Sequence, residues 1–197
     1  MINRYLVGFA VVILLMIIGI ILIFSGGGGE KPAEQQIKPL PDYADSFAEV
    51  SMTTRGIING EDIHREIRIT VGQFQRRVDI IAGYSGNVIQ TQTFSNSVPA
   101  YREFLAAIRD SGFLAERKVN PAQADPLGKC PLGQLYQFEL NDSGETLSYL
   151  WSSSCGNDQG TLRVKSSTLQ QLFKNQITNY SQLTSGTNLS ATTAPTN

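Results

Sequence analysis

The side chains best placed to do chemistry in this chain are two cysteines, one histidine and a group of arginines. Cys130 and Cys155 flank a segment in which Asn141-Asp142-Ser143-Gly144 has the composition of a tight turn. A two-residue loop centred between Asp142 and Ser143 sets Tyr136 opposite Tyr149, Phe138 opposite Leu147 and Gln134 opposite Trp151, which collects the apolar side chains on one face. Carried to the open end of the hairpin, that register brings Cys130 opposite Cys155 at a separation a disulfide accepts. A Cys130–Cys155 disulfide is therefore expected. The other readings are free thiols, a metal site or a nucleophilic cysteine. Two cysteines make no zinc site without further ligands, and Cys130 has only Lys129 beside it as a basic neighbour.

With a single histidine, His64, a Ser-His-Asp or Cys-His arrangement has one base to draw on. His64 alternates with Ile63 and Ile67 and is read as a solvated residue on the outward face of a strand. The chain holds no phosphate-binding loop, HExxH or CxxC, and Gly83-Tyr84-Ser85-Gly86-Asn87 is a turn between strands, not a nucleophile elbow. No catalytic residue, metal site or cofactor is expected. Arg65, Arg68, Arg76 and Arg77 lie around one hairpin and form the candidate binding patch, suited to phosphate-bearing wall polymers or acidic lipid heads. Glu66 and Asp79 are interleaved with them, which favours an ion-paired surface. Charge is balanced, 16 Lys+Arg against 17 Asp+Glu, so no nucleic-acid partner is expected.

These residues must be positioned by strands and two helices. Phe47–Arg55 reads as a weak strand, Ile63–Val71 alternates as a half-buried one, and turns at Gly72-Gln73 and Gly83–Asn87 set off strands around Val78–Ile80 and Val88–Phe94. Asn96 or Ser97 caps a helix whose buried stripe is Tyr101, Phe104, Leu105 and Ile108, closed by Gly112. Strands Leu135–Leu140 and Thr146–Trp151 follow. A last helix starts near Ser166 and buries Leu169, Leu172, Phe173 and Ile177. The expected class is α+β, an antiparallel β-meander with two packed helices, preceded by one transmembrane helix.

That helix is Leu6–Phe24, nineteen residues without a polar side chain. At 1.5 Å per residue they span about 29 Å, the thickness of a bilayer core. The run exceeds a signal-peptide core and no Ala-x-Ala-like site follows it. Type IV pilins want a glutamate where this chain has Ile13. Arg4 ahead of the run places residues 1–5 in the cytoplasm and the remainder outside, at the cell membrane in single-pass topology. A disulfide suits that side. Residues 25–43 read as a flexible Gly/Pro-rich linker, 44–180 as one extracytoplasmic domain, and 181–197, uncharged and rich in Ser and Thr, as a disordered tail.

The order CPLGxxYxFEL, LWSSSCG, GT, preceded by the helix AYREFLAAIRDSGF, resembles a family of uncharacterised, signal-anchored bacterial extracytoplasmic proteins over residues 60–180. The resemblance implies the same α+β domain and outside location, and no activity. In element order the chain is also similar to emfourin-type inhibitors of metalloproteases. The functional expectation is a membrane-tethered, non-catalytic binding or interaction module whose partner is an envelope protein or wall polymer. Its alternatives are an envelope hydrolase or thiol enzyme, and a protease-inhibitor-like or surface-assembly subunit.

Overall fold

The computed structural model describes residues 37–156 and 160–190, with Gly8, Ile13, Leu14, Met16 and Ile17 of the N-terminal stretch. The chain divides into residues 1–36 and 37–197. In the first unit the five described residues are helical, and the remainder of the expected transmembrane run Leu6–Phe24 lies outside the described residues. Among the described residues no helix is long and apolar enough to cross a membrane.

The second unit is an α+β domain on one six-stranded antiparallel sheet. Strands β1 (Glu49–Arg55), β2 (Arg65–Gly72), β3 (Gln75–Ala82) and β4 (Asn87–Ser95) run as a meander, and β5 (Leu135–Asp142) and β6 (Glu145–Ser153) add on the far side of β1, in the order β4-β3-β2-β1-β5-β6. Between β4 and β5 lie helix α1 (Val98–Asp110) and a single turn, α2 (Pro121–Ala124); α3 (Ser166–Lys174) and α4 (Tyr180–Thr184) follow β6. The Ser97 hydroxyl accepts from the Ala100 amide at the start of α1, and Gly112, at φ 82°, ends it.

Both long helices cover one sheet face. Tyr101, Phe104, Leu105 and Ile108 of α1 and Leu169 and Phe173 of α3 meet Val50, Met52, Ile67, Ile69, Val71, Val78, Phe138 and Leu140 in a single core. Phe173 is fully buried, with ring centroids 5.2 Å from Phe104, 6.0 Å from Phe113 and 6.2 Å from Phe138. The Tyr101 hydroxyl reaches through this core to donate to the Ala48 carbonyl at 2.8 Å, and burial raises its pKa.

Three sequence readings need correcting. The β5–β6 turn is one residue later than expected, on Ser143 and Gly144 at φ 52° and 85°, the positive pair that a type I′ turn requires. A further irregularity between Leu140 and Asn141 shifts the ladder again, so that Phe138 faces Leu150, Glu139 faces Tyr149 and Tyr136 faces Ser152. The total displacement is odd, and this moves Tyr149 and Trp151 to the face opposite the two long helices. Second, the linker stops short of residue 43: a 3₁₀ turn over Leu40–Asp45 buries Leu40 and Tyr43 against the core. Third, the expected tail 181–197 carries α4 and two leucines, Leu183 and Leu189, that pack on the core; residues 191–197 lie outside the described ones. The Leu189 carbonyl accepts from the Ile57 amide at 3.2 Å, and the Pro131 carbonyl from Ile58 at 2.8 Å.

Candidate functional site: the uncovered sheet face

Because side chains alternate along a strand, the register fixes what shares the face opposite the helices. One cross-strand row reads Trp151, Gln137, Thr53, Arg68, Asp79, Thr91 from β6 to β4. The next reads Tyr149, Glu139, Ser51, Thr70, Arg77, Thr93, and the row on the other flank runs Leu135, Arg55, Glu66, Ile81. The face is polar in its middle and closed at the β6 side by a small apolar cluster of Cys130, Leu135, Trp151 and Cys155. The indole of Trp151 donates to the Ala124 carbonyl of α2 at 2.7 Å, so the β4–β5 connection roofs that corner.

Arg55, Arg68 and Arg77 stand on successive strands, each one row removed from the last. Such diagonal neighbours are about 7–8 Å apart, within reach of side chains of this length. All three are fixed through Nε alone: Arg55 to Glu66 Oε1 at 2.6 Å, Arg68 to Thr53 Oγ1 at 3.1 Å, and Arg77 to Asp79 Oδ2 at 2.8 Å. Among the described residues their terminal Nη groups make no hydrogen bond. Asp79 is 5% exposed and takes a second donor, the Thr91 hydroxyl, on its other oxygen. Glu66 and Asp79 thus brace guanidinium groups while Arg68, the middle one, has no ion pair among the described residues. Beside them Tyr149 is 38% exposed, and burial of its hydroxyl pushes the pKa up to about 12.

Of the four arginines singled out by sequence, Arg68 and Arg77 share this face. Arg65 and Arg76 have the opposite parity and lie at opposite ends of the β2–β3 pair. Arg65 Nη1 donates to the carbonyls of Asp62 and His64, and Arg76 donates to the Ser95 carbonyl, so both guanidinium groups fasten backbone. Arg55 was missed. Its signal lies in the strand pattern, where Thr53 and Arg55 alternate with Met52 and Thr54 at the end of a segment that reads as weak.

His64 is buried, 1% exposed, against the expectation of a solvated residue. Its ring stacks on Tyr84 with centroids 3.9 Å apart. Nδ1 lies 3.1 Å from the Ile57 carbonyl, which can only accept, so this nitrogen carries the hydrogen; Nε2 lies 3.3 Å from Glu66 Oε1. Tyr84 in turn holds the 57–64 loop, its amide donating to Glu61 and its hydroxyl to the Asn59 carbonyl at 2.9 Å. His64 shares the parity of Glu66 and Arg68, but it precedes β2 and its ring lies against Tyr84, a contact that alternation does not register.

Cys130 and Cys155 are joined, with a Cα separation of 5.6 Å. The geometry differs from an extended ladder. Pairing closes with the Ser154 amide donating to the Gln134 carbonyl, and the chain then curls through Cys130 at φ 49° to bring the sulfurs together. Gly133 makes room: a Cβ there would meet Cys130 Sγ, Cys155 Sγ and Ser154 Oγ. Among the described residues no three His, Cys, Asp or Glu side chains converge as a metal site would need. The described grooves are shallow. One, of about 520 Å³, runs between Gln90, Gln92 and Phe94 of β4 and residues around α4.

No protein-family model matches this chain. No curated protein matches it either.

Proposed function

We propose that this chain is a membrane-tethered, extracytoplasmic binding module, non-catalytic, whose uncovered sheet face holds an anionic ligand of the phosphodiester class. The supporting observation is the arginine diagonal. Arg55, Arg68 and Arg77 are held at Nε, and among the described residues their Nη groups make no hydrogen bond, which leaves donors for bidentate contact with phosphate oxygens. The Leu6–Phe24 run and the Cys130–Cys155 bond both favour a tethered domain outside the cytoplasm. A wall polymer and an acidic lipid head share the phosphodiester, so two probes separate them.

The test uses full-length protein, a soluble glycerol-phosphate oligomer and phosphatidylglycerol vesicles. Arg68→Ala removes a charge-assisted contact of about 1.5–3 kcal/mol, so affinity for the true source falls about tenfold or more while Arg65→Ala leaves it unchanged. Equal binding by wild type and Arg68→Ala to both probes would sink the proposal. Protease added to intact cells checks the topology: a protected domain defeats the extracytoplasmic placement.

A further inference from the structure

The two edges of the sheet are treated differently. Along β6 the segment after Gly160 lies against the outer edge. The Leu162 amide donates to the Trp151 carbonyl at 2.9 Å, the Trp151 amide donates to Thr161 Oγ1 at 3.0 Å, and Leu162 bridges onward to Glu116. The β4 edge has no such cover among the described residues. All of β4 from Asn87 to Ser95 is exposed except Phe94, which is half-buried. Its sequence, NVIQTQTFS, has no charge and no proline. Exposed edges are ordinarily protected by lysines, prolines, bulges or short length. Here a single irregularity, opposite Ile80 and Ile81, disturbs only the first residues and leaves Gln90–Ser95 in regular pairing with β3.

We infer that β4 is a self-association edge, pairing antiparallel with β4 of a second copy about a two-fold axis through Gln92. The occupant follows from the chemistry of the regular stretch. Residues 91–93 read Thr-Gln-Thr, the same in both directions, and in an antiparallel homotypic pair each side chain must face one of its own parity. Centred on Gln92, the pairing sets Thr91 against Thr93 of the second copy, and Thr93 against Thr91, two of the cross-strand pairs that stabilise sheets. It lays the Gln92 amides side by side and puts Gln90 beside the Phe94 ring. No charge opposes a like charge. A charged partner strand finds no complement on β4, whereas a second copy meets only neutral groups. Val88 and Ile89, 51% and 54% exposed, add apolar surface at the ends of the contact. The pairing makes a twelve-stranded sheet and leaves the arginine face of each copy open.

Cross-linking of the full-length chain in its membrane, read on a non-reducing gel after mild oxidation, tests the axis. Both native cysteines are joined to each other, so the wild type runs as a monomer and supplies the baseline. Directly opposed residues have Cα atoms about 4.5–5.5 Å apart, inside the range a disulfide accepts. Gln92→Cys, which gives up one long hydrogen bond to the Thr93 carbonyl, gives a covalent dimer as the majority species. Thr91→Cys and Thr93→Cys, each alone, stay monomeric, and co-expressed they cross-link to each other. The inference is overturned if Gln92→Cys stays monomeric, or if Thr91→Cys links to itself as fully as Gln92→Cys does. Either result assigns the edge to another register or another partner.

Discussion

Reducing the Cys130–Cys155 bond isolates its contribution, because every side chain stays in place, each sulfur gains a hydrogen and only the covalent link is lost. The bond closes a loop of 25 residues. On the chain-entropy model such a loop removes about 12 cal/mol/K from the unfolded ensemble, or about 3.5 kcal/mol at 25 °C. That is a quarter to two thirds of the roughly 5–15 kcal/mol that holds a domain together. In a domain of this length each kcal/mol moves the melting temperature by about 2–4 °C, so reduction lowers it by roughly 7–14 °C. Urea unfolding of oxidised and reduced protein, followed by tryptophan emission, is the direct assay. Trp151 packs in the same cluster as the two cysteines and reports the region affected. The reduced form should unfold in a single transition at lower urea with an m-value no smaller than that of the oxidised form. Coincident midpoints refute the reasoning. They mean that the turn through Cys130 and Gly133 already confines the unfolded chain, and that the bond adds nothing to it.

Other consequences are open to measurement. His64→Leu removes the donor to the buried Ile57 carbonyl and the stack on Tyr84, and costs about 2–4 kcal/mol in denaturant unfolding; a loss below about 0.5 kcal/mol contradicts the burial described. Gly160→Ala forces a side chain onto the Trp151 carbonyl and indole at φ 69°, so it destabilises by more than the ordinary 1 kcal/mol or so of a point substitution, detectable as a lower melting temperature. Tyr101, Tyr136, Tyr149 and Tyr180 have pKa values raised above 10.0 by burial, Tyr149 to about 12. The folded state therefore holds these protons more tightly than the unfolded one, and the stability they contribute is complete below pH 10 and is lost as pH climbs from 10 toward 12. Tyrosinate absorbance should lag behind that of the urea-unfolded chain across this window. Matching curves would refute it.

Most elements could be read from local pattern. The stripe Tyr101, Phe104, Leu105, Ile108 and the caps at Ser97 and Gly112 depend on neighbours three or four residues away, and they fall where periodicity places them. The pairing of β5 with β1 depends on contacts 80 to 92 residues apart, for which the chain carries no local mark. The cysteine pairing was legible, but the hairpin register is not what brings the sulfurs together. The ladder lies three places out of the expected register, and a turn at Cys130 restores the proximity that extended strands do not provide. At the site, Arg68 and Arg77 were visible as charge. Which face each arginine joins is a matter of strand parity, and parity depends on boundaries that a sequence marks poorly.

The loop from Ile57 to His64 is held by strands of chain that are far apart in sequence: Pro131 on one side, Leu189 on another, and the Tyr84 turn above. A protein shortened after Thr184 keeps β1–β6 and α1–α4, yet it strips the Ile57 amide of its acceptor. Slack introduced at Ile57 passes through its carbonyl directly to the imidazole, from there to Glu66, and from Glu66 to Arg55. A nick near the carboxyl end would thus be felt at the arginines.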